Sequence, residues 1–166
     1  PCTVYVDDDY LGTEPGFGFN KFNSLQAAIN MVCEGGIVYV YPGNYYGAWG
    51  FTGYSPPDSS NVEIWKSLTL EGYGITTSRD AKIKSMAVIP YDYSSDSGIT
   101  IIKITADSNV TIKNVYIHGH VNPPVPPPPP DTFEMARVGI YADSVTDLSV
   151  INTVIDSCVY GVWTYK

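Results

Sequence analysis

Few side chains in this chain of 166 residues can do chemistry, and they fall in four places. His118 and His120 stand two residues apart, a spacing that puts both rings on one side of a strand, as metal ligands need. No cysteine lies near them and their acidic partners sit in loops, so a satisfied structural role is the expected one. Asp7, Asp8 and Asp9 offer the carboxylate oxygens that a hard cation such as calcium takes. Consecutive residues on an extended segment point to opposite sides, so all three cannot reach one ion without a turn, and a solvated strand end is expected ahead of calcium. Asp143 and Asp156 form a carboxylate pair, yet both fit turn positions, where Asp hydrogen-bonds its own backbone. Arg79 and Arg137 are the only arginines. A Gly-rich phosphate loop, a Cys-x-x-Cys and a Gly-x-Ser-x-Gly elbow are all missing from the sequence. The expectation is no catalytic residue, no metal and no cofactor, with calcium as the one alternative.

What remains is contact chemistry. Tyr45, Tyr46, Trp49, Trp65, Tyr91 and Tyr93 cluster in segments that leave the expected core, and exposed aromatic rings stack on sugars or anchor protein interfaces. Covering the core edges of a small fold is the competing role for the same residues. A net charge of −8 and a pI near 4.4 exclude nucleic acid, whose phosphates need Lys and Arg, and anionic membranes with it. No apolar run approaches the ~18–20 residues of a membrane-spanning helix.

The elements that must position these residues announce themselves by repetition. Asn109–His118 matches Asp147–Asp156 in pattern at an offset of 38 residues, placing Asn114 over Asn152. Val138–Asp143 matches Tyr160–Tyr165 at an offset of 22, placing Gly139 over Gly161. The proline-rich run at 121–133 accounts for the difference as an insertion in one turn of a stacked-repeat architecture. Short strands are expected at Thr3–Val6, Ile37–Tyr41, Ser67–Leu70, Ala81–Ile89, Ile99–Ile104, Val110–Ile117, Val138–Tyr141, Leu148–Ile155 and Val159–Tyr165. One segment changes period: Leu25, Ala28, Ile29 and Val32 make an amphipathic helix with Asn23 or Ser24 as N-cap and Gly35-Gly36 as its stop. A second insertion is expected near 50–63. Five consecutive prolines, Pro126–Pro130, form either a stiff polyproline II surface loop or a docking element for an aromatic groove.

Cys2 and Cys33 each precede a predicted strand; if those strands are neighbours the two thiols come within bridging reach, and a disulfide or two buried thiols both fit. Cys158 reads as a small core residue at a repeat corner. Asn109-Val110-Thr111 spells a glycosylation sequon. The chain begins at Pro1 without methionine, which suits a processed, secreted precursor. It ends at Lys166 inside a repeat, so the expectation is a fragment of a longer chain or an end covered by a second copy, stacked end to end as in a filament.

The run from Phe22 through Gly35-Gly-Ile-Val-Tyr-Val-Tyr41, preceded by Val6–Tyr10 and followed by Lys66–Gly72, resembles the N-terminal cap and first turn of the pectin-lyase-like superfamily. It is most similar to the repeat subgroup of carbohydrate-binding proteins, sugar hydrolases and NosD-type surface or periplasmic proteins. The resemblance implies an all-β, right-handed parallel β-helix over residues 1–166 as one domain. Residues 1–36 would form the N-terminal strand and cap helix, and 37–166 the coils. An antiparallel sandwich is the competing all-β fold, but it leaves the 22-residue offset and the single early helix unexplained. Lyases of the superfamily would bring calcium-holding carboxylates and an Arg or Lys base to a uronate. Its hydrolases would bring paired aspartates and a Gly-His-Gly sequence. This chain departs from both, since neither arginine joins several carboxylates and His118-Gly119-His120 is the reverse spelling. The resulting expectation is a non-catalytic, secreted or cell-surface module, structural or adhesive, with glycans or other surface proteins as partners. A polysaccharide lyase or glycoside hydrolase is the alternative.

Overall fold

Val4 and Val6 in strand β1 (Thr3–Val6), and Val38 and Val40 in β3 (Gly36–Val40), are completely buried, while Tyr5 and Tyr39 between them face outward. That alternation is the period-two pattern of a sheet with one face in the core. In the computed structural model, which describes residues 1–46, 60–74, 80–84, 100–119 and 136–166, it recurs across three parallel sheets. After β1 come β2 (Lys21–Phe22), helix α1 (Leu25–Met31) and β3; then β4 (Gly43–Tyr46), β5 (Ser60–Ile64), β6 (Leu68–Gly72), β7 (Ala81–Lys84) and β8 (Thr100–Ile104). β9 (Val110–Lys113), β10 (Tyr116–His118), β11 (Ala136–Asp143), β12 (Leu148–Ile151), β13 (Val154–Asp156) and β14 (Cys158–Tyr165) complete the order.

From β3 onward every strand pairs with the one three places along. The first sheet runs β12-β9-β6-β3-β1-β2, the second β13-β10-β7-β4, and the third β14-β11-β8-β5. Each pass of the chain therefore adds one rung to each sheet, and all pairings among the described strands are parallel, which rules out the sandwich. The register reproduces both sequence offsets: Val110 pairs with Leu148, Ile117 with Ile155, and Ile140 with Val162. Inward rows such as Val62, Ile102 and Ile140 are buried to 3% or less, each such side chain contributing about 1.5–3 kcal/mol of burial.

The structure divides two of the predicted strands. Val110–Ile117 and Leu148–Ile155 each break at an asparagine, Asn114 (φ 57°) and Asn152 (φ 45°), and so feed two sheets instead of one. Asn tolerates the left-handed region because its short amide can bond locally. Here Asn152 Nδ2 donates to Asn114 Oδ1 at 2.8 Å, one corner bonded to the next. The expected insertion at 50–63 is corrected at its C-terminal end, where residues 60–63 belong to β5 and pair with β8. The proline run lies outside the described residues.

The base of the stack is closed by side chains as well as by packing. Helix α1, its N-cap Ser24 accepting from the Ala27 amide, buries Leu25, Ala28 and Ile29. Gln26 holds the edge of β5 with both ends of its amide, accepting from Glu63 N at 2.8 Å and donating to Glu63 O at 3.0 Å. Asp8 accepts from Asn44 N on the edge of β4 at 3.0 Å, and β2 covers the edge of β1. Unpaired strand edges invite aggregation, and these contacts remove them. At the other end β12, β13 and β14 have a strand on one side only among the described residues, and Val150, Ile151, Val162 and Trp163 are exposed there.

Candidate functional site

The outward row of the first sheet reads Lys21, Tyr5, Tyr39, Glu71, Lys113 across five neighbouring strands. Tyr5 and Tyr39 stack at 5.7 Å and 23°, Tyr73 leans on Tyr39 at 4.7 Å, and Tyr41 meets Tyr73 edge-on at 5.2 Å. Tyr73 is the most open ring at 43% exposure, the other three being half-buried. Beyond them Lys21 Nζ lies 5.8 Å from the centre of the Tyr10 ring. Burial first, then the Tyr73 and Tyr5 phenols and the Asp7 carboxylate, pushes the Tyr41 pKa up. Burial, Tyr41 and the nearby carboxylates do the same to Tyr10, so both stay neutral hydroxyls that donate and accept. Rings that hold one another have little rotamer freedom left to lose when a ligand arrives.

This face is not the one that composition pointed to. Tyr45, expected as a contact residue, is 2% exposed. It occupies the inward slot shared with Ile83, Ile117 and Ile155, and its hydroxyl donates to the Tyr41 carbonyl at 2.8 Å. Burial, with Asp8 and Asp7 nearby, drives its pKa far upward. Tyr45 is a core residue. Trp65 is exposed at 47%, with Lys66 Nζ 5.3 Å from its ring centre. Tyr46 is in β4, and Trp49, Tyr91 and Tyr93 lie outside the described residues. The signal for this tyrosine face was the Val-Tyr-Val alternation in two strands whose adjacency the cysteine positions left open.

Cys2 and Cys33 are joined in a disulfide across β1 and β3, with Cα atoms 4.7 Å apart. Asn109 sits exposed at a left-handed turn before β9, its amide on Ser108 Oγ. The oxygens of Asp7, Asp8 and Asp9 lie within 4.8 Å of one another, because a turn at Asp8–Asp9 replaces the extended segment expected there. Asp7 Oδ1 accepts from Asp9 N, and Asp8 is committed to the edge of β4.

A second cluster joins His118 and Asp156, which the sequence suggested only separately, to Tyr116, which it did not single out. Tyr116 Oη donates to Asp156 Oδ2 at 2.5 Å, and His118 Nδ1 meets Asp156 Oδ1 in a short contact across β10 and β13. His118 therefore partners an aspartate; His120 lies outside the described residues. No family model, curated protein or solved structure matches the chain. Its chemistry must be argued from these contacts alone.

Burial works to raise the Asp156 pKa, but the hydrogen bonds from Tyr116 and His118 and the imidazole charge outweigh it, and the net displacement is downward. A lowered carboxylate pKa contributes stability that is present above the unfolded value of about 3.9 and is lost as pH falls through the folded value. Asp156→Asn is expected to cost about 1 kcal/mol at pH 7 after allowance for solvent screening, and to flatten the acid limb of the stability profile. Urea unfolding at pH 7 and pH 3 measures both, and an unchanged acid limb would assign the effect to other carboxylates. Nearby Cys158 is half-buried, and burial pushes its thiol up to about 11, leaving it protonated and unreactive at neutral pH.

Proposed function

We propose that the chain is a right-handed parallel β-helix of the pectin-lyase-like kind, acting as a non-catalytic adhesive module at a cell surface or outside the cell, and that glycans are its partners. The observation that carries this is the interlocked tyrosine group Tyr5, Tyr39, Tyr41 and Tyr73 on the outer face of the first sheet. Apolar ring surface edged by neutral hydroxyls is complementary to a sugar, which is itself apolar on its C–H faces and hydroxylated at its rim. Pairing of every third strand supports the β-helix, and the Cys2–Cys33 bond supports an oxidising compartment. Glycan contact is preferred to end-to-end assembly because α1, Gln26 and Asp8 cover the strand edges at the base, and a second copy would have to displace them to pair there.

Tyr73→Ala is expected to weaken retention on an immobilised glycan about tenfold, the equivalent of about 1.4 kcal/mol, with the circular dichroism spectrum unchanged. Undiminished retention would remove this face from the site. The His118–Asp156 contact favours a second reading, a polysaccharide-cleaving enzyme with an imidazole general base held in place by a carboxylate. Release of unsaturated or reducing sugar ends by the wild type, abolished in His118→Gln, would establish it in place of the first.

A further inference from the structure

Resting on the glycan-binding reading, we infer that the tyrosine face accepts uncharged glycans and rejects acidic ones. The row that contains Tyr5 and Tyr39 has Lys21 at one end and Lys113 four strands along, with Ile151 beyond it, and an anionic polysaccharide would be drawn there if carboxylates did not offset these charges. Both are engaged. Lys113 Nζ is paired with Glu71 Oε2 at 2.9 Å, and Lys21 lies over the Tyr10 ring. Glu71 stands directly beside Tyr39 in the neighbouring strand, between that ring and Lys113, as Lys21 stands beside Tyr5 at the other side of the row.

Two further carboxylates border the same group. Asp7 acts on both Tyr10 and Tyr41, and Glu14 acts on Tyr10. The Glu14 carboxylate is fixed by the Leu11 and Gly12 amides at 3.0 Å each. Around the rings Glu71 offsets Lys113, and the Asp7 and Glu14 carboxylates outnumber the remaining Lys21 ammonium group, within a chain whose net charge is −8. A uronate or sulfate approaching within a Debye length of about 10 Å meets net repulsion from these residues. A neutral hexose or pentose polymer meets ring surface and phenol hydroxyls at no electrostatic cost.

Affinity electrophoresis of the full chain in gels containing hydroxyethylcellulose, galactomannan or xylan, and in gels containing polygalacturonate or alginate, separates the outcomes. The expected result is retardation by at least one neutral polymer, insensitive to added salt and reduced about tenfold by Tyr73→Ala, with none in the acidic gels. Glu71→Gln, which releases Lys113, is expected to create salt-sensitive retardation by polygalacturonate. Retention of the wild type by an acidic polymer, lost in Tyr73→Ala, overturns the selectivity while leaving glycan binding by this face intact. Retention by neither class overturns glycan binding itself, and the selectivity falls with it.

Discussion

Replacing Cys2 and Cys33 together by serine is expected to lower the unfolding free energy by about 3–4 kcal/mol and the melting temperature by roughly 10 °C. The bond closes a loop of sequence separation 31, and fixing the ends of such a loop removes conformational freedom mainly from the unfolded chain. That loop holds β1, β2 and α1, the whole of the closed base. The strands around it are already aligned by backbone contacts, Cys33 N to Pro1 O at 2.8 Å and Ile37 N to Cys2 O at 2.9 Å, so the folded geometry needs little adjustment when the bond goes. The loss should therefore appear as easier unfolding of an unchanged fold. Thermal melts of the wild type with and without reductant, beside the double variant, make the test. A shift of a degree or less in both would mean that the base is held by packing, with Leu25, Ala28 and Ile29 sufficient by themselves.

The repeat was legible because stacked rungs demand like residues at like places. The offsets of 38 and 22 that align Asn114 with Asn152 and Gly139 with Gly161 are the offsets at which β9, β10 and β11 pair with β12, β13 and β14. The helix was legible for a local reason, since Ser24 and the spacing of Leu25, Ala28 and Ile29 state both its start and its buried side. Corners were harder. The repeat places Asn114 over Asn152, but their left-handed φ, which splits one apolar run between two sheets, depends on a geometry that periodicity alone does not carry. Among the aromatic candidates Tyr45 misleads for a related reason. Tyr45 follows a turn and looks exposed, yet its strand position sends it inward, and only the register with Ile83 and Ile117 reveals that. Sequence spacing pairs His118 with His120 and Asp156 with Asp143; 38 residues separate His118 from Asp156, and only rung pairing brings them together.

The stacking that created the 22-residue offset also predicts opposite fates for the two aligned glycines. A methyl group on Gly139 would lie 2.7 Å from the Gly161 carbonyl oxygen and 2.5 Å from Ile155 Cγ2. The carbonyl belongs to the β11–β14 ladder and cannot retreat without breaking its register, so Gly139→Ala is expected to cost about 2–3 kcal/mol. At Gly161 an added methyl meets nothing within 4 Å, and Gly161→Ala should fall within about 0.5 kcal/mol of the wild type. Glycine weakens a strand interior by its own flexibility, so a small gain at Gly161 is the expected sign. Urea unfolding of the two single variants supplies the comparison, each measured against the wild type at the same pH. Equal changes in the two variants would show that crowding does not distinguish the positions, and that the close approach of β14 to Gly139 does not decide the outcome. A loss confined to Gly139 would mean that a motif repeated in sequence is constrained in one copy by the rung stacked on it and released in the other, where the described chain has none.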